Sequence, residues 1–399
     1  MKPFPIVIGI DGNEANVPNR VGVGRYAYEL LKHLYQICID SKESYKSVFF
    51  RVYLKNNPRA DLPRQQEFWQ YKVVGPKPAW TQLGLPINLF LDRGLTVFFT
   101  PGHYAPRFSP FPQVIAIMDI SYLYYPQLFK KSDLYQLRHW TAYSVKKARK
   151  ILTISQNSKK DIVKEYGVNP DDVIVTYPGY DRELFYFSDS QAVQAQIMRA
   201  KKLYRIDGEY VLYTGTLQPR KNIASLLSAF SQLRSRMSYK SMVAKKSLKL
   251  VIAGKKGWLY DDIFEKVNTL NLENDVIFTD FVPDDILASL YRGATCLVLP
   301  SFYEGFGLPV VEAMACGVPV VVSNISSLPE IVGDVGVLIY PTDSTSLAEA
   351  IAGVVGWERE KRMNVVKKGV ELVKKFSWEN CAKKTLETLI AVGEENAQG

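Results

Sequence analysis

Long apolar runs are missing from this sequence of 399 residues, and no segment reaches a membrane-spanning length without a charge. The opening stretch, MKPFPIVIGIDGNEAN, carries an apolar run of about seven residues that ends at Asp11, too short for a signal-peptide core. A cytoplasmic location is therefore expected. Cysteine is scarce: Cys38, Cys296, Cys316 and Cys381 show no CxxC spacing, which argues for reduced structural thiols rather than a disulfide frame. The three histidines, His33, His103 and His139, stand far apart, so no zinc site is expected. Internal repeats at solenoid period and low-complexity tracts are also absent, which excludes a solenoid. Acidic residues are in deficit, 40 against 50 Lys and Arg, and the resulting charge of +10 calls for an anionic partner.

What the sequence does contain is a pattern of short β-branched runs alternating with helical periodicity. A content of 47% hydrophobic and 23% charged residues is that of a folded protein, and the length suits two α/β domains. Strands are predicted at 6–10, 48–54, 95–100, 114–118, 151–154 and 173–176, then at 210–214, 248–253, 276–281, 295–299, 318–322 and 337–339. The turn-rich stretch 177–184 reads as a hinge. The expected organisation is a first Rossmann-like domain over 1–184 and a second over 185–376. A final helix over about 377–399, with Ser377 as its N-cap, is expected to pack back on the first domain. Two such sheets facing across a cleft would bind ligands beyond the carboxyl ends of their strands.

Three segments that follow predicted strands carry chemistry. PSFYEGFGLPVVEAMACGVP, from Pro300 to Pro319, places Glu304 in a loop, then Gly305, Phe306 and Gly307, then Leu308 and Pro309 at a helix start, with Glu312 expected in the first turn. The glycines allow backbone N–H groups close to a ligand, and a helix N-terminus suits phosphates. YTGTLQPRKN, from Tyr213 to Asn222, puts Arg220 and Lys221 at the opening of a helix, a pair of cations suited to a diphosphate. DGNEANVPNRVGVGR, from Asp11 to Arg25, contains Gly22 and Gly24 but has Ala27 where a dinucleotide fingerprint needs a third glycine. It reads as a flexible loop that closes over a ligand.

With these residues in view, the second half resembles a retaining glycosyltransferase of family 4, whose Glu-x7-Glu signature stands here at Glu304 and Glu312. The likeness extends through AGKKGW at 253–258, DFVP at 280–283 and SLPE at 327–330, and more loosely through IGID at 8–11 and MDIS at 118–121. The resemblance implies a GT-B fold and group 1 glycosyl transfer: a hexose, mannose or glucose, moved with retention from a UDP- or GDP-linked donor to a saccharide or lipid-linked saccharide in surface polysaccharide or glycolipid synthesis. It implies no metal and no cofactor beyond the donor, so the Asp-Asp pairs beginning at Asp171, Asp261 and Asp284 read as surface carboxylates. Glu304, Arg220, Lys221 and Asp119 would be catalytic. Gly22, Gly24, Gly215, Arg220, Lys221, Val282, Glu304, Gly305, Phe306, Gly307, Leu308 and Glu312 would hold the donor, Glu312 through its ribose. One departure matters. Many relatives carry His-Asp where this sequence has Met118 and Asp119, with His103 the nearest substitute by sequence.

The basic excess clusters at 130–150, where Lys131, Arg138, Lys146 and Arg149 share one helical sector opposite Leu134, Leu137, Thr141, Val145 and Ala148. That face is either solvated or a contact for an anionic membrane surface, which would make the protein peripheral on the inner face of the plasma membrane. The basic stretch 234–246 reads as a mobile insertion. No nucleic-acid motif accompanies the charge. A nucleotide-sugar-binding protein without transfer activity, and a GT-B epimerase or hydrolase, are the alternative readings.

Overall fold

The β-branched runs assemble into two parallel sheets. The computed structural model describes residues 5–92, 94–241 and 248–398, and the chain divides into one unit of 1–179 with 376–399 and a second of 180–375.

The first unit runs β1 (Ile6–Asp11), α1 (Val23–Asp40), β2 (Val48–Leu54), β3 (Trp69–Val73), α2 (Leu85–Leu91), β4 (Val97–Thr100), β5 (Gln113–Ile117), α3 (Ser121–Tyr124), α4 (Lys131–Lys147), β6 (Lys150–Thr153), α5 (Gln156–Tyr166) and β7 (Val173–Val175). The sheet order is β3-β2-β1-β4-β5-β6-β7, all parallel. Its central strands are buried on both faces, as parallel strands covered by helices must be. Strand β3 was not expected. Only Trp69 of its five residues is buried, so an edge strand with Gln70 and Lys72 turned outward lacks the apolar run that marks the others.

The second unit runs α6 (Gln191–Leu203), β8 (Glu209–Thr214), α7 (Ile223–Ser241), β9 (Leu248–Ala253), α8 (Asp261–Thr269), β10 (Val276–Asp280), α9 (Asp284–Gly293), β11 (Cys296–Leu299), α10 (Leu308–Ala315), β12 (Val320–Ser323), α11 (Leu328–Val332), β13 (Val337–Ile339), α12 (Ser344–Val355) and α13 (Arg359–Val373). Its parallel sheet has the order β10-β9-β8-β11-β12-β13. In both sheets the order reverses beside the first strand, between β1 and β4 and between β8 and β11. Such a switch point opens a crevice at the carboxyl ends of the strands.

Helix α14 (Trp378–Gln398) belongs to the first unit and packs on α1, β1 and β4. Ser377 caps it, its Oγ accepting the Asn380 N–H at 3.3 Å. Gly179 is required there, because a Cβ would stand 2.1 Å from the Trp378 nitrogen.

Two expectations change. The helix of the 130–150 stretch stops at Lys147, since Ala148 turns to extended geometry to enter β6. Arg149 therefore leaves the basic sector and pairs with Glu395 at 2.9 Å. Residues 234–241, expected in a mobile insertion, continue α7, while 242–247 lie outside the described residues. Among the described residues no helix is long and apolar enough to cross a membrane.

Candidate active site

The switch point of the second unit is lined by the loops that follow β8 and β11. After β8 the chain turns at Gly215 (φ 143), where a Cβ would lie 3.2 Å from the Tyr213 hydroxyl and 3.9 Å from Cε of Lys221. Gly254, at the end of neighbouring β9, packs so closely that its Cβ would stand 1.9 Å from the Gly215 carbonyl oxygen. Arg220 and Lys221 do not open α7 as expected; they form a single 3-10 turn, Pro219–Lys221, ahead of it. Asn222 separates the two with a left-handed φ of 55, a conformation asparagine tolerates. Its Nδ2 donates to the carbonyls of Pro300 (3.0 Å) and Pro341 (2.6 Å), which ties this turn to the loop after β11.

That second loop carries Glu304. Its Oε1 accepts from Lys221 Nζ and from Ser301 Oγ, both at 2.6 Å, and Oε2 lies 3.6 Å from Arg220 Nη1. The Arg220 guanidinium also donates to the Tyr303 carbonyl, and the Phe302 N–H donates to the Arg220 carbonyl. Glu304 is fixed from its own backbone as well: its N–H reaches Ser326 Oγ at 3.0 Å, and Ser327 Oγ donates to the carbonyls of Glu304 and Phe306 at 2.9 Å. The three charged side chains are 8–13% exposed. Burial alone would raise the Glu304 carboxyl, but Lys221, Arg220 and Ser301 outweigh it and hold the group below the ordinary glutamate value. Two cations held side by side beyond the end of a strand are groups able to bind the oxygens of a diphosphate.

Gly305, Phe306 and Gly307 follow, and Gly307 takes φ 106 at the N-cap of α10. A Cβ on it would meet Leu328 at 2.9 Å, so space as well as conformation demands glycine. Leu308 is the first residue of α10 and Pro309 the second. Glu312 is the fifth and so lies beyond the first turn where it is expected, because the helix begins at Leu308 as read from the sequence and its first turn is complete at Val311. Its Oε2 accepts the Tyr291 hydroxyl at 3.0 Å, and that hydroxyl lies 2.8 Å from Thr214 Oγ1. The chain Thr214–Tyr291–Glu312 thus links β8, α9 and α10. Val282 is buried after β10, two residues beyond Asp280, whose carbonyl accepts the Gly254 N–H.

Gly22, Gly24 and Asp119 fall in the first unit. Gly22 (φ 53) precedes α1, and a Cβ on Gly24 would come 3.0 Å from the Glu14 carbonyl. The loop between β1 and α1, read as flexible, is tied to the segment after β2. Asn13 Oδ1 accepts the Lys55 N–H at 2.8 Å, Asn16 Nδ2 reaches the carbonyls of Asn56 and Asn57, and Arg20 makes a two-pronged pair with Asp61 at 2.6 and 3.0 Å. Asp119 follows β5 and accepts from Ser121 N (2.9 Å) and Oγ (2.6 Å). The Met118 side chain is buried, and its carbonyl accepts from Ser158 Oγ at 3.1 Å. His103 follows β4, and its buried Nδ1 has no hydrogen-bond partner among the described residues. Burial lowers its pKa while the Asp119 charge pulls the other way.

Sequence reasoning missed Ser301, Tyr213, Thr214, Tyr291 and Ser326 as site residues. Ser301 stands three residues before Glu304 and Ser327 begins SLPE, so proximity to the motifs was a usable signal. Tyr291 sits in the last turn of α9, buried along with Ala288, Ser289 and Leu290, and reads as core from spacing alone.

Residues 194–371 match the family described as Glycosyl transferases group 1. Over 384 residues the chain is 30% identical to O-antigen chain mannosyltransferase B of Escherichia coli, covering 92% of this chain and 94% of that protein. Among solved structures, sucrose-phosphate synthase of Thermosynechococcus elongatus matches with a TM-score of 0.71 at 19% identity, over 97% of this chain and 99% of the other. HepE of Anabaena, in complex with UDP-glucose, matches with a TM-score of 0.69 at 19% identity, over 96% and 99%. At such identities these structures speak to the fold, which is GT-B.

Proposed function

The chain belongs to the group 1 glycosyl transferases, and from that premise we propose that it moves a hexosyl group, mannose favoured, from a UDP- or GDP-linked donor to a saccharide or lipid-linked saccharide of a surface polysaccharide or glycolipid. Retention at the anomeric carbon and independence of metal belong to the same reading. The Escherichia coli relative, a mannosyltransferase of the O-antigen chain, supports the sugar and the acceptor class. HepE in complex with UDP-glucose supports a nucleotide sugar as donor.

The observation that carries this reading is the buried cluster of Arg220, Lys221 and Glu304 at the switch point. Arg220 and Lys221 hold the donor diphosphate and offset the charge that develops on the leaving phosphate, so two side-chain cations do the work a divalent ion does elsewhere. Glu304 and the amides after it orient the sugar; Glu312, steadied by Tyr291, takes the ribose. The bond from the anomeric carbon to the phosphate oxygen breaks while the acceptor hydroxyl oxygen bonds to that carbon on the same face. The hydroxyl proton passes to the departing phosphate. Asp119, with His103 beside it, takes the place of the His-Asp pair of relatives.

Contact with an anionic membrane surface through α4 is part of the proposal. Leu134, Leu137 and Val145 pack inward, while Lys131, Arg138, Lys146 and Lys147 face solvent. Aromatics interleave with them: Tyr135 is 65% exposed, and Phe108, on a loop held to α4 by Arg107 and Tyr143, is 63% exposed. Basic residues with exposed rings suit a headgroup layer.

The first experiment is a thermal-shift screen of the full chain against UDP, GDP, ADP and their sugar conjugates, followed by transfer assays with and without saccharide acceptors. A shift with one nucleotide family and acceptor-dependent turnover support the reading. Turnover without acceptor points to an epimerase or hydrolase, and binding without turnover to an inactive binder.

A further inference from the structure

Tyr213, the fifth residue of β8, has no accessible surface, and its hydroxyl has no hydrogen-bond partner among the described residues. A buried phenol in that state is unfavourable and calls for an explanation, since native interiors pair nearly all such groups. Its position supplies one. The hydroxyl and Cε of Lys221 lie 3.2 and 3.9 Å from the same point, the site of the missing Cβ of Gly215. The phenol and the side chain of the lysine that holds Glu304 therefore both border the small space above Gly215. The charges of Glu304 and Arg220 both act on it, and burial pushes its pKa far up, so it keeps its proton and is available only as a donor or a neutral acceptor.

Resting on the diphosphate reading above, we propose that Tyr213 is a positioning residue for Glu304: when a donor diphosphate draws Lys221 toward itself, the Tyr213 hydroxyl takes up the hydrogen bond to Glu304 that the ammonium gives up. Glu304 is buried and depends on its cations to stay ionised. A diphosphate competes for both cations, and Ser301 alone is a weak substitute for them. Without a further donor the carboxylate would protonate or move, and the sugar would lose its anchor. An unpartnered hydroxyl in the free protein is then a spare donor, idle until the ligand arrives.

The test is Tyr213→Phe in the full chain, compared with wild type and Lys221→Ala for thermal stability, affinity for UDP and GDP, and the pH dependence of that affinity. Phenylalanine removes only the hydroxyl, so the free protein should be as stable as wild type or slightly more stable. Nucleotide binding should weaken roughly 10- to 100-fold, the range for losing a hydrogen bond to a charged group. The weakening should set in at higher pH than in wild type, because Glu304 in the complex would then protonate more readily. Unchanged nucleotide affinity in Tyr213→Phe, or a loss of stability in the free protein as large as that in the complex, overturns the proposal, and Lys221→Ala tells which claim failed. If that variant loses affinity while Tyr213→Phe does not, the diphosphate site stands and only the role of Tyr213 falls. If Lys221→Ala binds normally, or wild type binds neither nucleotide, the diphosphate reading itself is wrong and Tyr213 goes with it.

Discussion

Lys221 and Glu304 meet through a 2.6 Å hydrogen bond across 83 residues of sequence, with their side chains 11% and 8% exposed. Each comes from a different loop, and the loops follow strands that are neighbours only because the sheet order places β8 beside β11. Breaking a buried pair by removing one partner costs about 3–5 kcal/mol, far more than at a surface. Lys221→Ala should therefore unfold at a markedly lower urea concentration than wild type and, where folded, lose donor turnover by roughly a hundredfold. Normal kinetics in a folded Lys221→Ala protein would remove the diphosphate assignment.

The same contact sets a pH dependence. The Glu304 carboxyl lies below its ordinary value in the folded chain, so the stability it contributes is present above the unfolded pKa of about 4.3. It is lost as pH falls through the lower folded value. Across that acidic window wild type should lose stability more steeply than Glu304→Gln, measured as urea midpoints at a series of pH values. Parallel slopes would mean that the carboxyl is not held low.

Glu312 depends on Tyr291. Tyr291→Phe leaves the buried Glu312 carboxylate without its phenol donor and Thr214 without its partner, and should cost about 1–3 kcal/mol. If Glu312 binds the donor ribose, the variant should also raise KM for the nucleotide sugar while leaving kcat largely intact. A change in kcat alone would argue for a different role.

Gly254→Ala tests the seam between β8 and β9. Its Cβ would fall 1.9 Å from the Gly215 carbonyl oxygen, a clash with backbone that no rotamer relieves. The variant should lose more than about 3 kcal/mol or fail to fold, whereas Gly353→Ala, in open space on α12, should be neutral or stabilising. Thermal melts of the two decide this.

For the membrane, the informative set is Lys131, Arg138 and Lys146. Replacing all three by Glu should abolish flotation with vesicles containing anionic lipid and leave the melting temperature within a few degrees of wild type. Arg149 is left out because its guanidinium pairs with Glu395 of α14. If wild type does not float, or the triple variant floats equally, the basic face is only solvated.

The site was legible where local chemistry leaves a mark. A strand followed by Gly-Phe-Gly, Leu and Pro announces a loop and a helix start, and adjacent Arg and Lys after another strand announce an anion. Strand β3 left no such mark, since an edge strand needs only one apolar face and here buries only Trp69. Tyr291 and Tyr213 were silent because a buried tyrosine looks like any core aromatic until its hydroxyl is placed.

By itself, the sequence determined the alternation of strands and helices, through side-chain periodicity and turn chemistry, and it singled out Arg220, Lys221, Glu304 and Glu312, because their motifs are contiguous. Only the tertiary structure decided which of these touch. The reversal of strand order beside β8 brings loops 83 residues apart to one edge of the sheet. Burial there turns a solvated lysine and glutamate into a close ion pair, and leaves the Tyr213 hydroxyl near Gly215 without a partner among the described residues. Periodicity acts over a few residues along the chain. Pairing across a switch point is set by sheet topology, and no local spacing encodes it.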